Sequence, residues 1–118
     1  MENRLALVVV DADVRSMLAG CLAGHGYTVI EAPHAARRLL KEADVVFLDP
    51  GTVEEGALEL AASVLSLGRP VFMVSSAEMI AHALPRGASE YLPKPVTEGQ
   101  VQGALDRLHR KRLQSGWA

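Results

Sequence analysis

Val45-Val46-Phe47-Leu48 is four apolar residues closed by the carboxylate of Asp49, and Pro50-Gly51 follows at once. A run so short, β-branched and uniformly apolar reads as a strand buried on both faces. Two later stretches repeat the pattern with a different last residue: Val71-Phe72-Met73-Val74 ends on Ser75, and Tyr91-Leu92 leads through Pro93 to Lys94-Pro95. Three buried strands that each end on one polar side chain decide the fold class. In a parallel sheet their carboxyl ends lie side by side, and open α/β sheets carry their chemistry at that edge.

Outward from these stretches, strand-like and helix-like segments alternate. Leu5 to Val10 is a first apolar run that Asp11 ends. Val14, Met17, Leu18, Cys21 and Leu22 then share one face of a helix that stops at Gly24-His25-Gly26. Tyr27 to Ile30 reads as a second strand, and Ala35 to Glu42 as a short helix with Leu39 and Leu40 inward. After the Val45 to Asp49 strand, Leu58, Ala61, Ala62 and Leu65 mark a third helix. Arg69-Pro70 opens the fourth strand. A brief helix near Ala77 to Leu84 is cut by Pro85 and Gly87. Glu90 to Leu92 is the fifth strand, and a last helix from Thr97 turns Val101, Ala104, Leu105 and Leu108 inward.

Uniformly apolar strands alternating with amphipathic helices imply an α/β fold with a five-stranded parallel sheet and helices on both faces. The flavodoxin-like order 2-1-3-4-5 is expected, with the topological switch point between strands one and three. The whole chain, 1–118, reads as a single domain with a core of about 4–113 and a frayed tail at 114–118.

Bulk properties narrow the function classes. Apolar residues make up 49% of the chain, which suits a sheet covered on both faces. Twelve basic and 14 acidic residues leave a formal net charge of −2, so no global field draws the chain to nucleic acid or to a membrane. One cysteine, Cys21, excludes an internal disulfide and fits a cytoplasmic setting. The four histidines show no i, i+4 pairing and have no cysteine partner, which argues against zinc. The basic residues Arg107, Arg110, Lys111 and Arg112 read as a solvated helix end.

The chemistry falls to the strand ends. Asp49 belongs at the top of the central strand, beside the switch point. Pro50 biases it toward extended backbone and removes one N–H. Gly51 permits close approach, so that its N–H and C=O can face a phosphoryl group or a metal. A cis Lys94-Pro95 bond, modest in cost at about 0.5–1 kcal/mol, would swing the Lys94 ammonium over the edge toward Asp49. Ser75 offers a hydroxyl, while it or Ser76 caps the next helix. An Asp, a Ser and a Lys at one edge suit an acidic nucleophile whose phosphorylated form is held by a hydroxyl and a cation.

That set, with Gly87-Ala88 ahead of Tyr91, Lys94 and Pro95, resembles the receiver domain of two-component response regulators. The resemblance spans roughly Arg4 to Leu113. It implies a stand-alone response regulator that accepts a phosphoryl group on Asp49 from a histidine kinase or phosphotransfer protein and signals to a downstream protein by contact. Lys94 and Ser75 would assist, Ser75 and Tyr91 would act as the switch pair, and the domain would be no enzyme beyond accepting the phosphoryl group and losing it again.

Receivers carry two adjacent acids at the end of strand one which, with the phosphoacceptor, bind Mg²⁺, and here the pattern departs. Anchored without gaps on Arg4, Arg15, Leu18, Leu22 and Gly26-Tyr27, the register puts Val9 and Val10 at those positions. With a two-residue deletion, Asp11 and Asp13 fill them, giving a metal set of Asp11, Asp13, Asp49 and Gly51. Asp11 and Asp13 also suit an N-cap and a first-turn acid of the first helix. Mg²⁺ binding is therefore expected to be weak or absent. The loop after Asp49 also lacks the family's usual Met-Pro. Two other functions stay open: a degenerate pseudo-receiver that binds a partner without phosphorylation, and a flavodoxin-like cofactor binder or enzyme. Against the latter, no Gly-rich loop follows strand one and no Gly-x-Ser-x-Gly surrounds Ser75.

Overall fold

A computed structural model of the chain describes residues 4–31, 42–52 and 57–114. Five strands form one sheet: β1 (Arg4–Val9), β2 (Tyr27–Glu31), β3 (Val45–Leu48), β4 (Val71–Ser75) and β5 (Glu90–Pro93). All neighbours pair in parallel, in the order β2-β1-β3-β4-β5. The helices are α1 (Ala12–Gly24), α2 (Ala57–Leu65), α3 (Ala77–His82) and α4 (Glu98–Gln114), and a single 3₁₀ turn runs over Pro50–Thr52. The short helix read at Ala35 to Glu42 lies outside the described residues except for Glu42, which is in a turn. Gln114, expected in a frayed tail, instead closes α4.

Alternation along each strand divides the core in two. Ala6, Val8, Val10, Val45, Phe47, Phe72, Val74 and Leu92 pack with Leu18, Cys21 and Leu22 of α1 and with Val101, Ala104, Leu105 and Leu108 of α4. Val9, Val46, Leu48, Val71 and Met73 meet Val64 of α2 and Leu84 beyond α3 on the opposite face. Every residue of β3 and β4 is buried, which is why both read as unbroken apolar runs. Of the stripe read on the third helix, Leu65 packs against this half of the core and Ala62 is exposed, while Val64, outside the stripe, is buried; the side chains of Leu58 and Ala61 lie outside those described. Alanine carries little hydrophobic signal, so the docking of α2 onto the sheet decides its inner face.

The ends of β1 and β3 position the site. Val9 is level with Leu48, so the next residue, Val10, comes level with Asp49. The Asp49 N–H donates to the Val9 carbonyl at 2.8 Å. Backbone bonding thus continues one step past each strand and holds Asp49 against β1. At the other end of β3, Asp44 Oδ2 accepts the Leu5 N–H at 2.7 Å while the Asp44 N–H donates to the Leu5 carbonyl.

Candidate functional site

Asp49 is 1% exposed at the carboxyl end of β3. Its Oδ1 accepts the Gly51 N–H at 2.8 Å, an Asx-type turn closed by the 3₁₀ residues. A side chain at Gly51 would bring its Cβ within 3.1 Å of that same oxygen, so glycine suits the turn sterically. The Gly51 N–H thus serves the carboxylate of Asp49 itself, in place of the metal or phosphoryl group expected of it.

The Lys94 ammonium sits against Asp49 Oδ2 and donates to Asp11 Oδ2 at 2.8 Å. The Lys94-Pro95 bond is cis, and the Lys94 N–H donates to the Ser75 carbonyl at 2.8 Å. Ser75 closes β4 level with Pro93 of β5 and is 6% exposed. Its neighbour Ser76 caps α3, accepting the Met79 N–H at 3.2 Å. The two serines therefore divide the roles that the sequence left open between them, and Ser75 is not spent on the cap.

Asp11 does not act as the expected side-chain cap. It stands at the N-cap of α1 with extended backbone angles, and its carbonyl accepts from Val14 and Arg15, but its carboxylate makes no capping bond. That carboxylate goes to Lys94 instead. Burial alone would lower the Lys94 pKa, but hydrogen bonds and charge from Asp11 and Asp49 outweigh it and hold the ammonium above its ordinary 10.5. A cation whose pKa is raised on folding stabilises fully below its unfolded value and loses that contribution as pH climbs through the folded one. The gap in unfolding free energy between the parent and Lys94→Met is therefore expected to stay constant from neutral pH to about 10.4 and to shrink above it. Urea denaturation on both sides of that pH checks this, and a gap that persists in strong base would contradict it.

Val9 is 0% exposed and Val10 3%. Val9 is level with Leu48 in the pairing of β1 with β3, so these two aliphatic side chains stand beside the Asp49 end of β3. Asp13 is exposed in the first turn of α1. Among the described residues, no group of three or more His, Cys, Asp or Glu side chains is placed to hold a metal ion. Mg²⁺ needs hard oxygen ligands in near-octahedral array. Here the two carboxylates that do approach one another, Asp11 and Asp49, share an ammonium. Of the expected set of Asp11, Asp13, Asp49 and Gly51, Asp11 and Asp49 meet at Lys94, Gly51 donates its N–H to Asp49, and Asp13 is exposed in the first turn of α1.

Tyr91 is half-buried on β5. Its hydroxyl donates to the Pro85 carbonyl at 2.6 Å and accepts the Ala88 N–H at 3.2 Å, so it fastens the loop ahead of β5. Arg107, read as part of a solvated basic end, makes a bidentate bridge to Glu90 from α4 to β5, at 2.8 and 2.7 Å. His25 and Tyr27 reach across to Asp106 and His109 of α4 at 3.4 and 3.2 Å. These long-range pairs have no local sequence signature. They fasten α4 to the sheet and to α1.

The fold has counterparts among solved structures. A CheY-like response regulator receiver domain protein from Methanospirillum hungatei superposes with a TM-score of 0.75 at 18% identity, over 98% of this chain and 99% of that one. The fold is that of a receiver domain. A response regulator from Thermotoga maritima gives a TM-score of 0.73 at 20% identity, covering 91% of this chain and 98% of its own. A Burkholderia pseudomallei response regulator, solved with a phosphorylated aspartic acid, a calcium ion and citrate, gives 0.65 at 19%, over 96% of this chain and 75% of that one. No protein-family model and no curated protein sequence matches the chain. In this receiver fold the described helices include none long and apolar enough to cross a membrane.

Proposed function

We propose that the chain is a signalling receiver whose phosphoacceptor is Asp49. The observation that carries this reading is the buried Asp49 carboxylate at the β1–β3 switch point with the Lys94 ammonium on its Oδ2. A phosphohistidine on a kinase or phosphotransfer protein is the donor. Its N–P bond breaks as a P–O bond to an Asp49 carboxylate oxygen forms, and the imidazole leaves. Lys94 offsets the added charge and Ser75 donates a hydrogen bond to a phosphoryl oxygen. Water later attacks phosphorus, releasing inorganic phosphate and restoring the carboxylate. Output is contact with a downstream protein, through movement of α3, β5 and α4. Any switching movement of Tyr91 must break its bonds to Pro85 and Ala88, so the resting position is a defined one.

Incubation with a small phosphodonor is expected to add one phosphoryl group by intact mass, and Asp49→Asn to abolish the addition. Labelling that survives the substitution would move the site elsewhere.

A second reading, a degenerate module that binds its partner without phosphorylation, is favoured by one observation. Valines stand at both positions that β1 presents beside Asp49. A parent chain that never labels, from small donors or from a phosphohistidine protein, would decide for it.

A further inference from the structure

The cluster Asp11–Lys94–Asp49 joins three elements: the turn into α1, the end of β3 and the residue that follows β5. Two carboxylates this near one another would repel unless a cation lay between them, and the chain supplies one of its own. The Lys94 side chain is 33% exposed, against 2% for Asp49, so the ammonium closes the solvent side of the buried carboxylate. Among the described residues, β1 brings only backbone oxygen to Asp49, because the side chains of Val9 and Val10 are aliphatic and packed into the two halves of the core. We propose that Lys94 is the resident cation of this site, positioned by Asp11, so that Asp49 is charge-compensated from within and the domain takes no divalent metal. Asp11 is then a positioning residue for Lys94 and not a metal ligand. The inference concerns cation placement alone and stands whether or not Asp49 is phosphorylated.

An exchange of cations tests it. The parent chain is expected to show no saturable heat with millimolar MgCl2 or CaCl2, and no gain in melting temperature over NaCl of matched ionic strength. Lys94→Met leaves Asp11 and Asp49 as an uncompensated acid pair. That variant is expected to melt lower and to recover specifically with the divalent salts, binding them roughly tenfold or more tightly than the parent. Adding Asp11→Asn to Lys94→Met is expected to abolish the acquired binding, a loss that a purely structural role for Asp11 would not produce. If Lys94→Met fails to fold, Lys94→Gln takes its place in the same titrations. Saturable binding of Mg²⁺ by the parent that disappears in Asp11→Asn would overturn the proposal. So would a folded Lys94 variant that ignores divalent cations.

Discussion

Replacing Val9 and Val10 together by Asp is expected to cost several kcal/mol, enough to bring a domain of ordinary stability, about 5–15 kcal/mol, close to unfolding. Val9 packs with Ala43, Val46, Leu48, Val64, Val71, Met73 and Leu84, while Val10 packs in the other half of the core. One substitution therefore damages each face of the sheet. Each lost isopropyl group leaves a gap, and each new carboxylate loses its water without a partner ammonium, because Lys94 is already shared by Asp11 and Asp49. Burial raises the pKa of both carboxylates in the folded state. The loss is thus full above the raised folded pKa and shrinks as pH falls toward about 4, where the unfolded chain also takes up protons. Chemical denaturation of the two single variants and the double variant at neutral and acid pH measures this. A double variant near parental stability that has gained Mg²⁺ binding would show that both positions open onto the site.

Phe47→Ala is expected to be the largest loss from a single truncation, roughly 3–5 kcal/mol. Phe47 is fully buried on the central strand, and its ring stacks on Phe72 of β4 with centroids 4.7 Å apart. The removed ring sits between strands packed under α1 and α4, which leaves little freedom to collapse into the space. Asp49 lies two residues along the same strand, so loosening β3 disturbs the site as well. Leu67→Ala, at an exposed leucine, is the control and is expected to stay within about 0.5 kcal/mol. Equilibrium unfolding checks both, and a Phe47→Ala cost below about 1 kcal/mol would contradict the packing described.

The strands were legible because burial on both faces writes itself into consecutive residues, as in Val45 to Leu48 and Val71 to Val74. The strand-end residues Asp49, Ser75 and Lys94 were legible for the same reason, since a polar side chain directly after such a run has only the sheet edge to occupy. The inner face of α4 followed from its spacing at Val101, Ala104, Leu105 and Leu108. What could not be read locally was pairing across the fold. Asp11 has the sequence context of a helix cap, and only the approach of residue 94 after β5 turns its carboxylate away from that task. Glu90 with Arg107, and Tyr27 with His109, likewise meet only once α4 has docked. Ala62 of α2 was misread because an alanine constrains the rotation of a helix weakly. That Val9 and Val10 stand at the end of β1 beside β3, with Asp11 just beyond, depends on the ladder between β1 and β3, which is tertiary information.

If Asp49 reacts and Lys94, not a metal, supplies its charge compensation, phosphoryl transfer to this site needs no divalent cation. The most direct test follows phosphoryl incorporation from a small donor by intact mass, in parallel with MgCl2 and with EDTA. A divalent cation would normally offset the negative charge on the phosphoryl oxygens, so transfer without one is slower. The predicted result is slow incorporation of one phosphoryl group, absent in Asp49→Asn, at the same rate in MgCl2 and in EDTA. Incorporation that depends on Mg²⁺, or that persists without Asp49, would contradict the account.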